Sequence, residues 1–130
     1  MKIAILGEDI DEIKIIQGHL LNFDELTIES EVFYTLDDFR DVYQYGTGLN
    51  LLIIIIDGLA TNIVFSDKVL NFYLKNKNRS FCPVLFVTSD NEMESELNLE
   101  SRDGDFVALS SNIEFDYIVE VIERILDLKK

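Results

Sequence analysis

Several chemically capable side chains in this sequence directly follow aliphatic runs. The longest run, Leu51-Leu52-Ile53-Ile54-Ile55-Ile56, ends abruptly in Asp57-Gly58. Ile3-Ala4-Ile5-Leu6 leads through Gly7 to Glu8 and Asp9, and Val84-Leu85-Phe86-Val87 leads to Thr88-Ser89. Phe106-Val107-Ala108-Leu109 is followed by Ser110. Three carboxylates brought close together resist joint ionisation unless a cation shares them, and hard oxygen donors suit Mg²⁺ or Mn²⁺. A hydroxyl on a neighbouring strand, Thr88, can donate to an anion on that metal. Brought together, Glu8, Asp9, Asp57 and Thr88 are parts able to hold a phosphoryl group on or near Asp57.

These residues meet only if the strand ends converge. A strand apolar at every position, such as 51–56, is buried on both faces, the signature of a central strand in a helix-covered parallel sheet. In open α/β sheets the carboxyl ends of such strands face the ligand crevice. Around it the spacing predicts a strand over 2–6, then a helix over 11–22 with Ile13, Ile16, Leu20 and Leu21 on one side. A half-buried edge strand follows over 26–33. Thr35 caps a helix over 36–45, with Leu36, Phe39, Val42 and Tyr43 inward and Asp37 and Asp38 in its first turn. A helix over 64–76 offers Val64, Phe65, Val69, Phe72 and Tyr73 for packing, and Pro83 opens a strand over 84–87. A short acidic helix over 91–100, a strand over 106–109 and an amphipathic helix over 113–128 complete the chain. Five strands alternating with five helices predict an α/β fold: a doubly wound, five-stranded parallel sheet, flavodoxin-like (βα)5, with helices on both faces.

Composition bounds the rest. At 130 residues, 48% hydrophobic and with nine Phe, the chain reads as one ordered domain over 1–130. No apolar run approaches a membrane span and no signal-peptide pattern opens the chain, so a cytoplasmic protein is expected, stand-alone and without an attached output domain. Cys82, the single cysteine, has no partner for a disulfide and reads as a buried filler, and His19 reads as structural. The formal net charge of −14 repels nucleic acid and anionic lipid, and favours basic partners or divalent cations. Lys75-Asn76-Lys77-Asn78-Arg79 reads as a solvated helix end, and Glu92, Glu94, Glu96 and Glu100 as a solvated face.

In element order and length the whole chain resembles the receiver domains of bacterial two-component response regulators. The resemblance rests on Glu8-Asp9 after the first strand and on Asp57 after an aliphatic third strand. A Pro83-led fourth strand ending in Thr88-Ser89, and Phe106 in the fifth, add to it. It implies that Asp57 is the phosphoacceptor, and that Glu8, Asp9, Asp57 and the backbone carbonyl of Leu59 hold Mg²⁺. It also implies that Thr88 steadies the phosphoryl group and that Phe106, placed next to the site, reorients on activation. The chain departs from the family where receivers carry Lys-Pro after the fifth strand: here the residues are Leu109-Ser110. The acidic pair also admits a register shifted by one residue, which brings in Gly7.

The expected function is therefore that of a signalling protein rather than an enzyme, accepting phosphate at Asp57 from a histidine kinase or phosphotransfer protein. An alternative is a pseudo-receiver, which lacks the Lys and acts by protein–protein interaction without phosphorylation. A flavin carrier on the same sheet is a third reading, disfavoured by the acidic Gly7-Glu8-Asp9-Ile10-Asp11 where a flavin phosphate needs a Ser/Thr/Gly-rich loop. The face for a downstream partner, or for a second copy in a homodimer, is expected at Phe106 and the last helix. Tyr117 is read there as an exposed aromatic with a polar end.

Overall fold

The computed structural model describes residues 1–23, 27–56, 63–78 and 82–128. Its strands are β1 (Lys2–Leu6), β2 (Glu29–Phe33), β3 (Leu51–Ile55), β4 (Val84–Thr88) and β5 (Phe106–Leu109). Its helices are α1 (Ile10–Leu21), α2 (Leu36–Tyr43), α3 (Ile63–Asn76), α4 (Asn91–Glu100) and α5 (Phe115–Leu128), with a 3₁₀ turn at Ser110–Asn112. The sheet is parallel throughout, in the order β2-β1-β3-β4-β5. This is the expected flavodoxin-like arrangement, with β3 at its centre. The order reverses between β1 and β3, the kind of switch point at which open α/β sheets form their crevice.

Strand alternation sorts the core into two layers. Leu52, Ile54 and Ile56 join Ala4, Leu6, Val84 and Phe86 against Phe39 and Tyr43 of α2 and Val69, Phe72 and Tyr73 of α3. Leu51, Ile53 and Ile55 join Ile3, Ile5, Leu85 and Val87 against Ile13, Ile16 and Leu20 of α1 and Ile118, Val121, Ile122 and Ile125 of α5. All six residues of the run Leu51–Ile56 are at most 1% exposed. That is why the run has no polar position: each side of the strand faces helices.

Several helix-face expectations are corrected. Leu21 is 81% exposed, and Val42 and Val64 are exposed too. In each case the neighbouring residue has taken the inward position: Leu20, Tyr43 and Phe65 are buried. One residue is a turn of about 100° on a helix, enough to move a side chain off a narrow packed stripe. The edge strand is also shorter than expected, with Glu29, Ser30 and Glu31 exposed and only Phe33 buried. Charges along a sheet edge discourage pairing with other chains, and Glu31 also accepts a hydrogen bond from the Tyr43 hydroxyl at 2.6 Å.

At the N-terminal ends of β4 and β5 a polar knot ties the sheet to α3. Asp105, its side chain 1% exposed, faces Arg102 at 2.9 Å and accepts from the Val84 amide at 3.0 Å and from the Tyr73 hydroxyl. Arg102 also donates to the carbonyl oxygens of Lys77 and Cys82. Cys82 is buried, as its small apolar side chain suggested. His19 is half-buried, its ring 6.4 Å from that of Phe115. Among the described residues no helix is long and apolar enough to cross a membrane.

Candidate functional site

The candidate site lies at the carboxyl ends of the strands. After Leu6 the chain stays in the sheet for one more residue: the Gly7 amide donates to the Phe33 carbonyl at 3.0 Å. A Cβ on Gly7 would stand 3.0 Å from the Ile55 Cβ, so β1 and β3 approach each other there in a way a side chain would crowd. Glu8 follows, exposed. Asp9 is the N-cap of α1: its backbone is extended, and its Oδ1 accepts from the Glu12 amide at 3.2 Å. The capping role explains why an acidic residue stands at this position independently of any metal, and Asp11 and Glu12 in the first turn complement the helix dipole.

On the neighbouring strand the Ile56 amide donates to the Val87 carbonyl at 2.8 Å, which keeps β3 in register with β4 to the last residue before Asp57. Asp57 and Leu59 themselves lie outside the described residues, as does residue 26 of the expected edge strand. Thr88 ends β4, 1% exposed, and its Oγ1 accepts from the Asp90 amide at 3.2 Å. A hydroxyl that accepts still has its hydrogen to donate. Thr88 pairs in register with Leu109, which is half-buried at the start of the 3₁₀ turn. Among the described residues no three His, Cys, Asp or Glu side chains gather in a way that could hold a metal ion.

Two expectations about the switch surface change. Phe106 opens β5 opposite Leu85, three residues before the Thr88–Leu109 pair. At about 3.3 Å per residue it stands about 10 Å along the strand from that pair, packed into the α1/α5 layer rather than beside the strand ends. Tyr117 is half-buried against the same layer, not exposed, and its phenol is pushed above its ordinary value by burial and then by Glu120. An aromatic at the margin of a packed stripe lies down on that stripe, because its ring gains more from apolar contact than from water.

Sequence reading missed a cation. A cavity of about 260 Å³ opens beside Glu8 between the starts of α2 and α3, and its lining includes Tyr34, Asp37 and Lys68. Attention to the residues after the fifth strand finds no lysine there. Lys68, exposed in the second turn of α3 one turn after Val64, lines this cavity together with Glu8. The signal was available in the helical spacing.

No family model and no curated protein matches the chain. Among solved structures, a chain in which the yeast Spc42 trimeric coiled coil is fused to another structure superposes with a TM-score of 0.69. The two are 17% identical, and the match covers 98% of this chain and 80% of that one. At that identity the likeness concerns the fold alone. With its order β2-β1-β3-β4-β5, the chain has a flavodoxin-like (βα)5 parallel sheet consistent with the receiver fold.

Proposed function

We propose that this chain is a receiver-like signalling protein that accepts a phosphoryl group at Asp57 from a histidine kinase or phosphotransfer protein. The observation that supports this most is the shared end of the central strands: Glu8 follows β1, the buried Thr88 hydroxyl ends β4, and Ile56 stays hydrogen-bonded to Val87 immediately before Asp57. In the transfer, an Asp57 carboxylate oxygen forms a bond to the donor phosphorus. The donor's bond to that phosphorus breaks, and the leaving imidazole takes up a proton. Thr88 donates its hydroxyl hydrogen to a phosphoryl oxygen. The carboxylates of Glu8 and Asp57, with Asp9 and the carbonyl of Leu59, are an all-oxygen donor set of the kind Mg²⁺ selects. The ion, when bound, neutralises charge on the phosphoryl oxygens.

A second reading has specific support. Asp9 already serves as a helix cap, and apolar Leu109 pairs with Thr88 where receivers carry a lysine. Both features favour a pseudo-receiver that works by protein–protein contact without phosphorylation. Thermal melts of wild type and Asp57→Asn, with and without Mg²⁺ and a small phosphodonor, separate the two. Under the first reading both additions raise the wild-type midpoint and leave Asp57→Asn nearly unmoved. If the two proteins melt together and neither responds, the phosphorylation-independent reading stands.

A further inference from the structure

We propose that the groove between α2 and α3 is a docking site for a short acidic segment of a partner protein, a function beyond phosphate acceptance at a groove that shares Lys68 with the cavity beside Glu8. The groove encloses about 560 Å³ and is lined by Arg40, Lys68, Asn71, Phe72 and Lys75, with Asp37 the one carboxylate on its wall. Three cations against one anion is a local inversion in a chain whose 25 acidic residues outnumber 11 basic ones. Elsewhere Lys77 meets Glu100 and Arg124 meets Glu120. Arg40, Lys68 and Lys75 form no ion pair with any described residue, as is also true of Lys2 and Lys14, so what sets the groove apart is that three such cations line it together.

The geometry narrows the occupant. Lys68 and Lys75 are seven residues apart on α3, two helical turns on one face, so their attachment points lie about 10 Å apart. Asn71 stands between them. Arg40 faces this stripe from α2, its guanidinium 5.2 Å from the centre of the Phe72 ring, which in turn stacks on Tyr45 at 6.0 Å with the planes 9° apart. Held over an aromatic face, Arg40 loses less freedom when it meets a carboxylate than a lysine free in solvent does. Cations spread along a groove in this way match carboxylates spaced along an extended peptide better than the oxygens of one phosphate. A long polyanion such as nucleic acid would run beyond the groove onto the acidic remainder of the surface and be repelled. A short acidic segment meets only the groove.

The test titrates the intact protein with synthetic hexaglutamate at low salt, following backbone amide shifts by NMR, with hexalysine and inorganic phosphate as the other arms. The expected result is saturable hexaglutamate binding that shifts Lys68, Asn71 and Lys75 and weakens with added salt. The double variant Lys68→Glu/Lys75→Glu should bind about tenfold or more weakly, the loss of two charge contacts and their reversal. The gentler Lys68→Gln/Lys75→Gln variant should show the same direction, which guards against a folding defect in the first. Arg124→Gln, far from the groove on α5, should bind as wild type. Absence of saturable hexaglutamate binding, binding that survives both double variants, or inorganic phosphate saturating the same amides as tightly would each overturn the proposal.

Discussion

Asp9 accepts a hydrogen bond from the Glu12 amide at 3.2 Å, so one of the acidic residues expected to hold a metal is also the N-cap of α1. The two roles separate by mutation. Asp9→Ala removes the cap and should lower unfolding stability by about 1 kcal/mol, whereas Asp9→Asn keeps a capping oxygen and should stay within a few tenths of that of wild type. Urea denaturation without metal measures both. Equal losses for Ala and Asn would contradict the capping assignment, and a diminished Mg²⁺ response in the stable Asn variant would reveal the second role.

The Tyr73 phenol is pushed from its ordinary 10.0 to about 12, first by burial and then by its hydrogen bond to Asp105. Burial pushes the Cys82 thiol from 9.0 to about 12. Both groups hold their protons in the folded state at pH values where the unfolded chain has released them. Their contribution to stability is therefore complete below about pH 9 and is lost as pH rises from there to about 12. Denaturation midpoints measured across that range should fall steadily, and Tyr73→Phe should flatten the upper part of the slope. A midpoint independent of pH over this interval would contradict the placement of both groups.

The knot around Asp105 offers a contrast in magnitudes. Its side chain is 1% exposed and holds Arg102, the Val84 amide and the Tyr73 hydroxyl. Asp105→Ala leaves those donors without their acceptor and should cost about 3 kcal/mol. Glu120→Ala breaks a solvent-exposed pair at 2.6 Å with Arg124 and should change stability by less than about 1 kcal/mol. Chemical denaturation of both variants checks the ordering. Comparable losses would mean that burial does not set the strength of the inner network.

Leu109 pairs with Thr88 where the receiver resemblance calls for a lysine. Under the proposed function Leu109→Lys brings an ammonium toward Glu8, Asp9 and Asp57, whose charges would repel one another, so the metal-free protein should melt higher. The further stabilisation added by Mg²⁺ should shrink in the variant, because part of the repulsion is already relieved. An unchanged Mg²⁺ increment would show that position 109 does not face the carboxylates.

Much of the fold was legible because β3 advertises itself. Six consecutive aliphatic residues have one physical explanation in a chain of this size, helices on both faces, and the two-layer core follows from strand alternation. Thr35, a short polar residue at a helix start, marks α2 correctly, and the structure shows Asp90 capping α4 in the same way. Periodicity misjudges the flanks of helices, where Leu21, Val42 and Val64 are apolar yet exposed, because pattern reading assigns a broad stripe and packing uses a narrower one. Tyr117 errs the other way, its polar end suggesting water while its ring packs on the core. The net charge of −14 describes the whole surface and conceals the cations grouped between α2 and α3. At the candidate site, strand order brings Glu8, Asp9 and Thr88 to one edge of the sheet, while Asp57 and Leu59 lie outside the described residues. Lys68 approaches from a helix that the reading of strand ends passed over.

The central claim concerns one carboxylate, and the mass of the intact protein reads it directly. Wild type and Asp57→Asn are incubated with Mg²⁺ and a small phosphodonor, then weighed by electrospray mass spectrometry. The proposed function predicts that wild type gains the mass of one phosphoryl group, that omission of Mg²⁺ suppresses the gain, and that Asp57→Asn shows none. A wild type that gains nothing after prolonged incubation, or an Asp57→Asn variant that gains the same mass, would contradict it.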